Sequence, residues 1–286
     1  MLIKLLSVIA VVVLLMTIMV LALDKSKQSA ETASLVNDSA GNKGKQVKEE
    51  RKMGKVSSLS FFKNCAFVSV DFQPGDREGS YLTNKAMSED WKKMGFTAAD
   101  CNAAIDFLYD VAQPNARKIA DACRDIKLPM IFIHWGYQFR DGMDLTPEIR
   151  RSFIQSYGMD YKKWPHHISH PTSRPAEFFD IRNGEYVIAK TDQDAFTSSN
   201  IGFVLRNLEI ENIVFVGGHT GACLARTAEH AKELGYHILC VEDATWDATE
   251  SNRIPNLLQS NYDYILTTDK FLKLVNSLTP TNTKSD

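Results

Sequence analysis

The sequence predicts an α/β fold: three layers, with a parallel sheet covered on both faces by helices. Two observations predict it. Six short apolar runs recur between Cys65 and Thr268, and segments of helical periodicity separate them. Strands that read as continuous apolar runs are buried on both faces, and parallel neighbours need a crossover, usually a helix. The 286 residues carry 33 Lys+Arg against 35 Asp+Glu, a formal charge of −2, and 44% are hydrophobic. That composition excludes collagen, coiled coil and wholesale disorder, and gives no electrostatic reason for a nucleic-acid partner. Five cysteines are too few and too scattered for a disulfide scaffold. No internal repeat is visible, so solenoids and propellers are excluded.

The chain divides into three pieces. Residues 1–23 contain an unbroken apolar run, Leu5 to Leu23, interrupted only by Ser7 and Thr17. As a helix it spans roughly 28 Å, near the hydrocarbon thickness of a bilayer. A single-pass N-terminal membrane anchor is the first reading, and a cleaved secretory signal is the other. Leu21-Ala22-Leu23 is a poor A-x-A match, which favours the anchor. Lys25, Lys27 and Lys43 after the run outnumber Lys4 before it, favouring a cytoplasmic domain, whereas short N-terminal anchors often export the domain attached to them. Residues 24–58 lack aromatics and carry eight Lys/Arg against five Asp/Glu, the composition of a disordered polar linker. Residues 59–286 form the folded domain.

Within that domain, Cys65 to Asp71 reads as a buried strand ending on an acid. Thr97 to Asp100 resembles a capping box, and Pro114 interrupts the helix begun there. A second helix carries Ile119, Cys123 and Ile126 on one face. Met130–His134, Glu185–Lys190 and Asn212–Gly217 are further strands, with a helix over Ser199–Leu208. Ala222–Leu234 is a helix with Leu224, Ala228, Ala231 and Leu234 inward and Gly235 as its C-cap. His237–Glu242 and Tyr264–Thr268 complete the strands.

Ligands of an open parallel sheet sit outside the carboxyl ends of its strands. Three reactive residues fall there: Asp71 ends the first strand, Lys190 ends the third, and Cys223 opens the helix after the fourth. A thiolate is stabilised at a helix N-terminus and by a nearby ammonium, and a carboxylate can carry a proton from thiol to leaving group.

Those residues carry a resemblance. Val70-Asp71-Phe72-Gln73, then Lys190 with Ala195-Phe196, then Gly217-Gly-His-Thr-Gly-Ala-Cys223, then Glu242-Asp243-Ala244 resemble the isochorismatase-like cysteine hydrolases in order, spacing and strand context. The resemblance implies a six-stranded parallel sheet, an Asp71–Lys190–Cys223 triad, and hydrolysis of small amides, ureides or carbamoyl compounds through a Cys223 acyl-enzyme. It also implies a homo-oligomer. Vinyl-ether hydrolysis and a non-catalytic binding member of the fold are the alternatives. The chain departs from the family at Asp194, where serine is common, which bears on the charge near Lys190. In the family a cis peptide turns one oxyanion donor inward; by position it falls at Gly218–His219, so the backbone N–H groups of His219 and Cys223 are the expected donors. The His219 ring is then incidental, and the Thr220 hydroxyl is expected to pin the loop through the backbone.

Gln73, Trp135 and Phe196 are the candidate substrate contacts, with Tyr137, Phe139 and Arg140 following Trp135 on the same edge. No cofactor is expected: His219 replaces the middle glycine of a dinucleotide-binding motif. Nor is a metal, since nicotinamidases of the resembled family take ligands between the base Asp and the next strand, and no His lies between Asp71 and His134. His166, His167 and His170 nevertheless form a tight cluster that is open as a metal site. Asp243 reads as a structural cap.

Overall fold

The computed structural model describes residues 59–74 and 95–278, which belong to one compact unit, Lys52–Asp286. The apolar run of residues 5–23 and the linker of residues 24–58 lie outside the described residues. Among the described residues no helix is long and apolar enough to cross a membrane.

Six strands form one parallel sheet: β1 (Cys65–Val70), β2 (Met130–Trp135), β3 (Tyr186–Lys190), β4 (Asn212–Gly218), β5 (His237–Trp246) and β6 (Tyr264–Leu266). Their spatial order is β3-β2-β1-β4-β5-β6, so the winding reverses between β1 and β4. The eight α-helices of the described residues are α1 (Ala98–Phe107), α2 (Gln113–Asp125), α3 (Pro147–Tyr157), α4 (Ala195–Ser198), α5 (Ile201–Asn207), α6 (Cys223–Glu233), α7 (Glu250–Gln259) and α8 (Thr268–Asn276).

The two-residue side-chain period of a strand explains the two cores. Cys65 and Phe67 of β1 face one way, joining Phe132, Val214 and Leu239 beneath α1, α2 and α8. Ala66, Val68 and Val70 face the other, joining Ile133, Ile188 and Phe215 beneath α5, α6 and α7. The continuous apolar runs are therefore a consequence of burial on both faces.

Several elements differ from the sequence reading. Pro114 does not break the helix: a single π turn, Leu108–Ala112, joins α1 to α2 and leaves Pro114 in the first turn of α2, where its missing N–H is harmless. The Ser199–Leu208 helix is present as α5, and the short α4 just before it has no counterpart in the sequence reading. Leu234 is 51% exposed rather than inward, because α6 ends at Glu233. β5 continues past Glu242 through an irregularity: Phe215 pairs with Cys240 but Gly217 pairs with Thr245. That extension brings Trp246 beside Gly218 and sets Asp247 just past the strand. Thr97 does cap α1, accepting from the Asp100 N–H, and Asp243 caps α8 through the Thr268 N–H and hydroxyl, both at 2.7 Å.

Residues 136–173, whose sequence shows no decodable pattern, build a small aromatic cap. Tyr137, Leu145 and Trp164 form its core, with Trp135 and Phe153 packed against it.

Candidate active site

The reversal of winding between β1 and β4 opens a crevice at the carboxyl ends of those strands. Asp71 follows β1, not within it as the sequence reading had it, and takes a left-handed conformation, φ 54°. Asp tolerates that region better than most residues, and the turn takes the chain out of the sheet at the crevice. Gly217, near the end of β4, has φ 120°, and a Cβ there would lie 2.0 Å from the Val70 carbonyl oxygen. Only glycine lets the two central strands meet so closely beside Asp71.

Lys190, the last residue of β3, is fully buried and places Nζ 2.8 Å from Asp71 Oδ2. It also donates to the Asp192 carbonyl at 3.0 Å and lies 4.4 Å from the centre of the Trp135 ring. Burial opposes its charge, but Asp71 and the Cys223 sulfur outweigh that and raise the ammonium pKa. Asp71 Oδ1 is buried without a hydrogen-bond partner among the described residues.

Cys223 is the first residue of α6. Its thiol is pushed up to about 12, by burial first and then by the Asp71 charge, with Lys190 pulling the other way. A thiol held up in this way is a proton donor, in keeping with a carboxylate beside it that takes the proton. The other four cysteines are buried in the cores and remote in chemistry from this constellation.

The peptide Gly218–His219 is cis, as expected. In the loop it begins, the Ala222 and Leu224 N–H groups donate to the His219 carbonyl at 3.0 and 3.2 Å, and Thr220 N–H donates to the Trp246 carbonyl at 3.1 Å. The Thr220 hydroxyl donates to the Asp247 carboxylate rather than to backbone. The His219 ring stacks on Trp246, centroids 4.2 Å apart.

Of the expected substrate contacts, Trp135 is the one whose ring lies against Lys190. Gln73 is a bracket: its Oε1 accepts from Trp135 N–H at 2.8 Å, and its Nε2 donates to the carbonyls of Thr172 at 2.6 Å and Trp135 at 3.2 Å. Both of its amide N–H donors are spent on the protein. Phe196 packs against His230 of α6 and Tyr236 just beyond it, centroids 5.2 and 6.0 Å away. Asp194 caps α4 at the Phe196 N–H and holds His230 Nδ1 at 2.7 Å, so its charge is directed to His230 and away from Lys190. Tyr137 is buried in the cap, Phe139 is 57% exposed, and Arg140 lies over Tyr161.

The three clustered histidines are not brought together. His166 meets Gln73 Nε2 through Nδ1 at 3.4 Å and adopts φ 69°. His167 bonds to Ser169 and meets Tyr137 edge-on, and His170 bonds to Thr172. Among the described residues no group of three or more His, Cys, Asp or Glu is placed to hold a metal. Burial drives the His166 pKa down to about 4, against the pull of Asp71. Sequence reasoning missed His166 as a neighbour of Asp71, and missed Asp247 entirely. A left-handed His and an acid after a strand carry no motif of their own.

The family profile "Isochorismatase domain" matches residues 95–259, more than half of the chain. The chain belongs to the isochorismatase family. Among curated relatives, the ureidoacrylate amidohydrolase RutB of Variovorax paradoxus is 27% identical over 135 residues, covering 46% of this chain and 48% of that protein. The chain thus spans about half the length of that relative. An uncharacterized isochorismatase family protein of Bacillus subtilis, YwoC, is 26% identical over 165 residues, 57% of this chain and 82% of its own. Among solved structures, a cysteine hydrolase from Pseudomonas syringae pv. phaseolicola 1448A has the same fold, with TM-score 0.56 at 14% identity, covering 76% of this chain and 95% of that one.

Proposed function

We propose that this isochorismatase-family protein is a hydrolase that cleaves a C–N bond of a small amide, ureide or carbamoyl compound, with Asp71, Lys190 and Cys223 as its triad. The observation that carries the reading is the buried Asp71–Lys190 pair set against a cysteine at a helix start, in the crevice where the sheet reverses. Asp71 Oδ1, without a protein partner among the described residues, is the acceptor for the thiol proton as sulfur attacks the carbonyl carbon. Asp71 then passes that proton to the departing nitrogen. Water attacks the resulting thioester, gives a proton to Asp71, and the sulfur leaves and regains it. Lys190 orients the carboxylate and favours sulfur as an anion in the transition state. The backbone N–H groups of His219 and Cys223 are the donors for the developing oxyanion.

The ureide branch is supported by the two similar ureidoacrylate amidohydrolases, 27% and 29% identical. The apolar run of residues 5–23 is proposed to hold the domain at a membrane. A panel of small amides and ureides offered to the full chain and to Cys223→Ala tests the reaction. Hydrolysis by the wild type and none by the variant is expected; equal hydrolysis by both overturns it.

A further inference from the structure

The loop that carries the cysteine is tied to a carboxylate that the proposed chemistry does not use. We infer that Asp247 is the positioning residue for the loop Gly218–Cys223, holding the oxyanion donors in register with the sulfur. The inference rests on the hydrolytic reading of the same site.

Asp247 is 8% exposed and follows Trp246, the last residue of β5. Its Oδ2 accepts from the Thr220 hydroxyl, from Gly221 N–H at 2.9 Å and from Asn256 Nδ2 at 3.0 Å. Its Oδ1 accepts from Ala248 N–H at 2.6 Å and faces His219 Nδ1 at 3.5 Å. Three consecutive loop residues, His219 to Gly221, are therefore gathered on one carboxylate. Burial alone would raise its pKa, but His219, Thr220 and Asn256 hold it well below the usual carboxylate range. Asn256 sits close over the loop: a Cβ on Gly221 would lie 2.4 Å from its Nδ2.

The consequence is selective. Asp247 takes the Gly221 N–H, Trp246 takes that of Thr220, and the His219 carbonyl takes those of Ala222 and Leu224. The Cys223 N–H has no acceptor among the described residues. The carboxylate and two backbone carbonyls thus take up the neighbouring loop N–H groups and leave the donor at the sulfur for substrate.

The test separates oxyanion geometry from thiol reactivity, using the full chain. Propionaldehyde is the probe: the Cys223 sulfur bonds to its carbonyl carbon, and the thiol proton ends on the carbonyl oxygen, which occupies the oxyanion position. Its affinity is read as protection of Cys223 from iodoacetamide. Asp247→Asn keeps the shape but replaces one acceptor with a donor. It should weaken aldehyde binding by about tenfold or more, while the iodoacetamide rate without aldehyde stays within about twofold. Thr220→Val should weaken it less, and Thr220→Ser should restore the wild-type value. On any amide the wild type hydrolyses, Asp247→Asn should lower kcat with KM unchanged.

Equal aldehyde affinity in wild type and Asp247→Asn, including none in either, overturns the inference. So does a parallel fall in the iodoacetamide rate. Aldehyde discrimination without any amide hydrolysis by the wild type would instead overturn the hydrolytic reading and leave the positioning role standing.

Discussion

Lys190 reaches Asp71 across an intervening strand. β3 and β1 flank β2, so their backbones are about 10 Å apart, yet Nζ and Oδ2 meet at 2.8 Å over the Trp135 ring. A long flexible amine at an edge strand is what closes that gap. The pair is buried, so its attraction is strong, and so is the penalty for breaking it.

Lys190→Met should therefore abolish turnover and also destabilise the fold by about 3–5 kcal/mol, since it leaves a buried carboxylate uncompensated. The lysine pKa is raised in the folded state. Its contribution is thus fully present below the ordinary lysine value of about 10.4 and is lost as pH rises through the folded value. Urea unfolding should show a constant deficit between pH 7 and about pH 9 that shrinks only at higher pH. A deficit that already shrinks as pH rises from 7 to about 9 would contradict this.

Cys223 should behave as a protonated thiol in the free protein. With its pKa pushed up to about 12, iodoacetamide alkylation should rise about tenfold per pH unit from pH 8 to pH 10 without a plateau. The urea-unfolded chain should pass half its maximal rate at about pH 8.5 and level off above that. A plateau below pH 8 in the folded protein would mean a resting thiolate.

Gln73→Leu should act on stability. It strips partners from the Trp135 N–H and from the Trp135 and Thr172 carbonyls, at a cost of about 1–3 kcal/mol in urea unfolding. A change in KM with unaltered unfolding would instead make Gln73 a substrate contact.

His166 should set part of the acid limit of stability. Its folded pKa is lowered to about 4, so its contribution is present above about pH 6.5 and is lost as pH falls through about 4. His166→Gln should lose less stability than the wild type over that window, the difference being on the order of 2 kcal/mol. Parallel acid curves would contradict the shift.

Much of this was legible in the chain. The apolar runs of the central strands follow from burial on both faces, and Asp71, Lys190 and Cys223 from the rule that ligands sit at carboxyl ends. Illegible parts depended on contacts distant in sequence. Gln73 lies close to Asp71 and resembles a pocket residue, but its partners, Trp135 and Thr172, lie in segments with no readable pattern. Pro114 reads as a helix breaker because nothing local shows the π turn that accommodates it. Asp247 gains its meaning only when β5 runs past Glu242, and that extension is set by pairing with β4. How far the Cys223 pKa is raised was illegible for a related reason: the helix start is local, whereas burial and the Asp71 charge are tertiary facts.

The central claim is that Cys223 carries the substrate's acyl group during hydrolysis. Intact-mass spectrometry of the full chain, acid-quenched during turnover of a slow amide, tests it most directly. The account predicts a mass increase equal to the acyl fragment, mapped by peptide digestion to Cys223 and absent in Cys223→Ala, which should lose several orders of magnitude in kcat. Sustained turnover with no adduct on Cys223, together with a Cys223→Ala variant that retains activity, would contradict it.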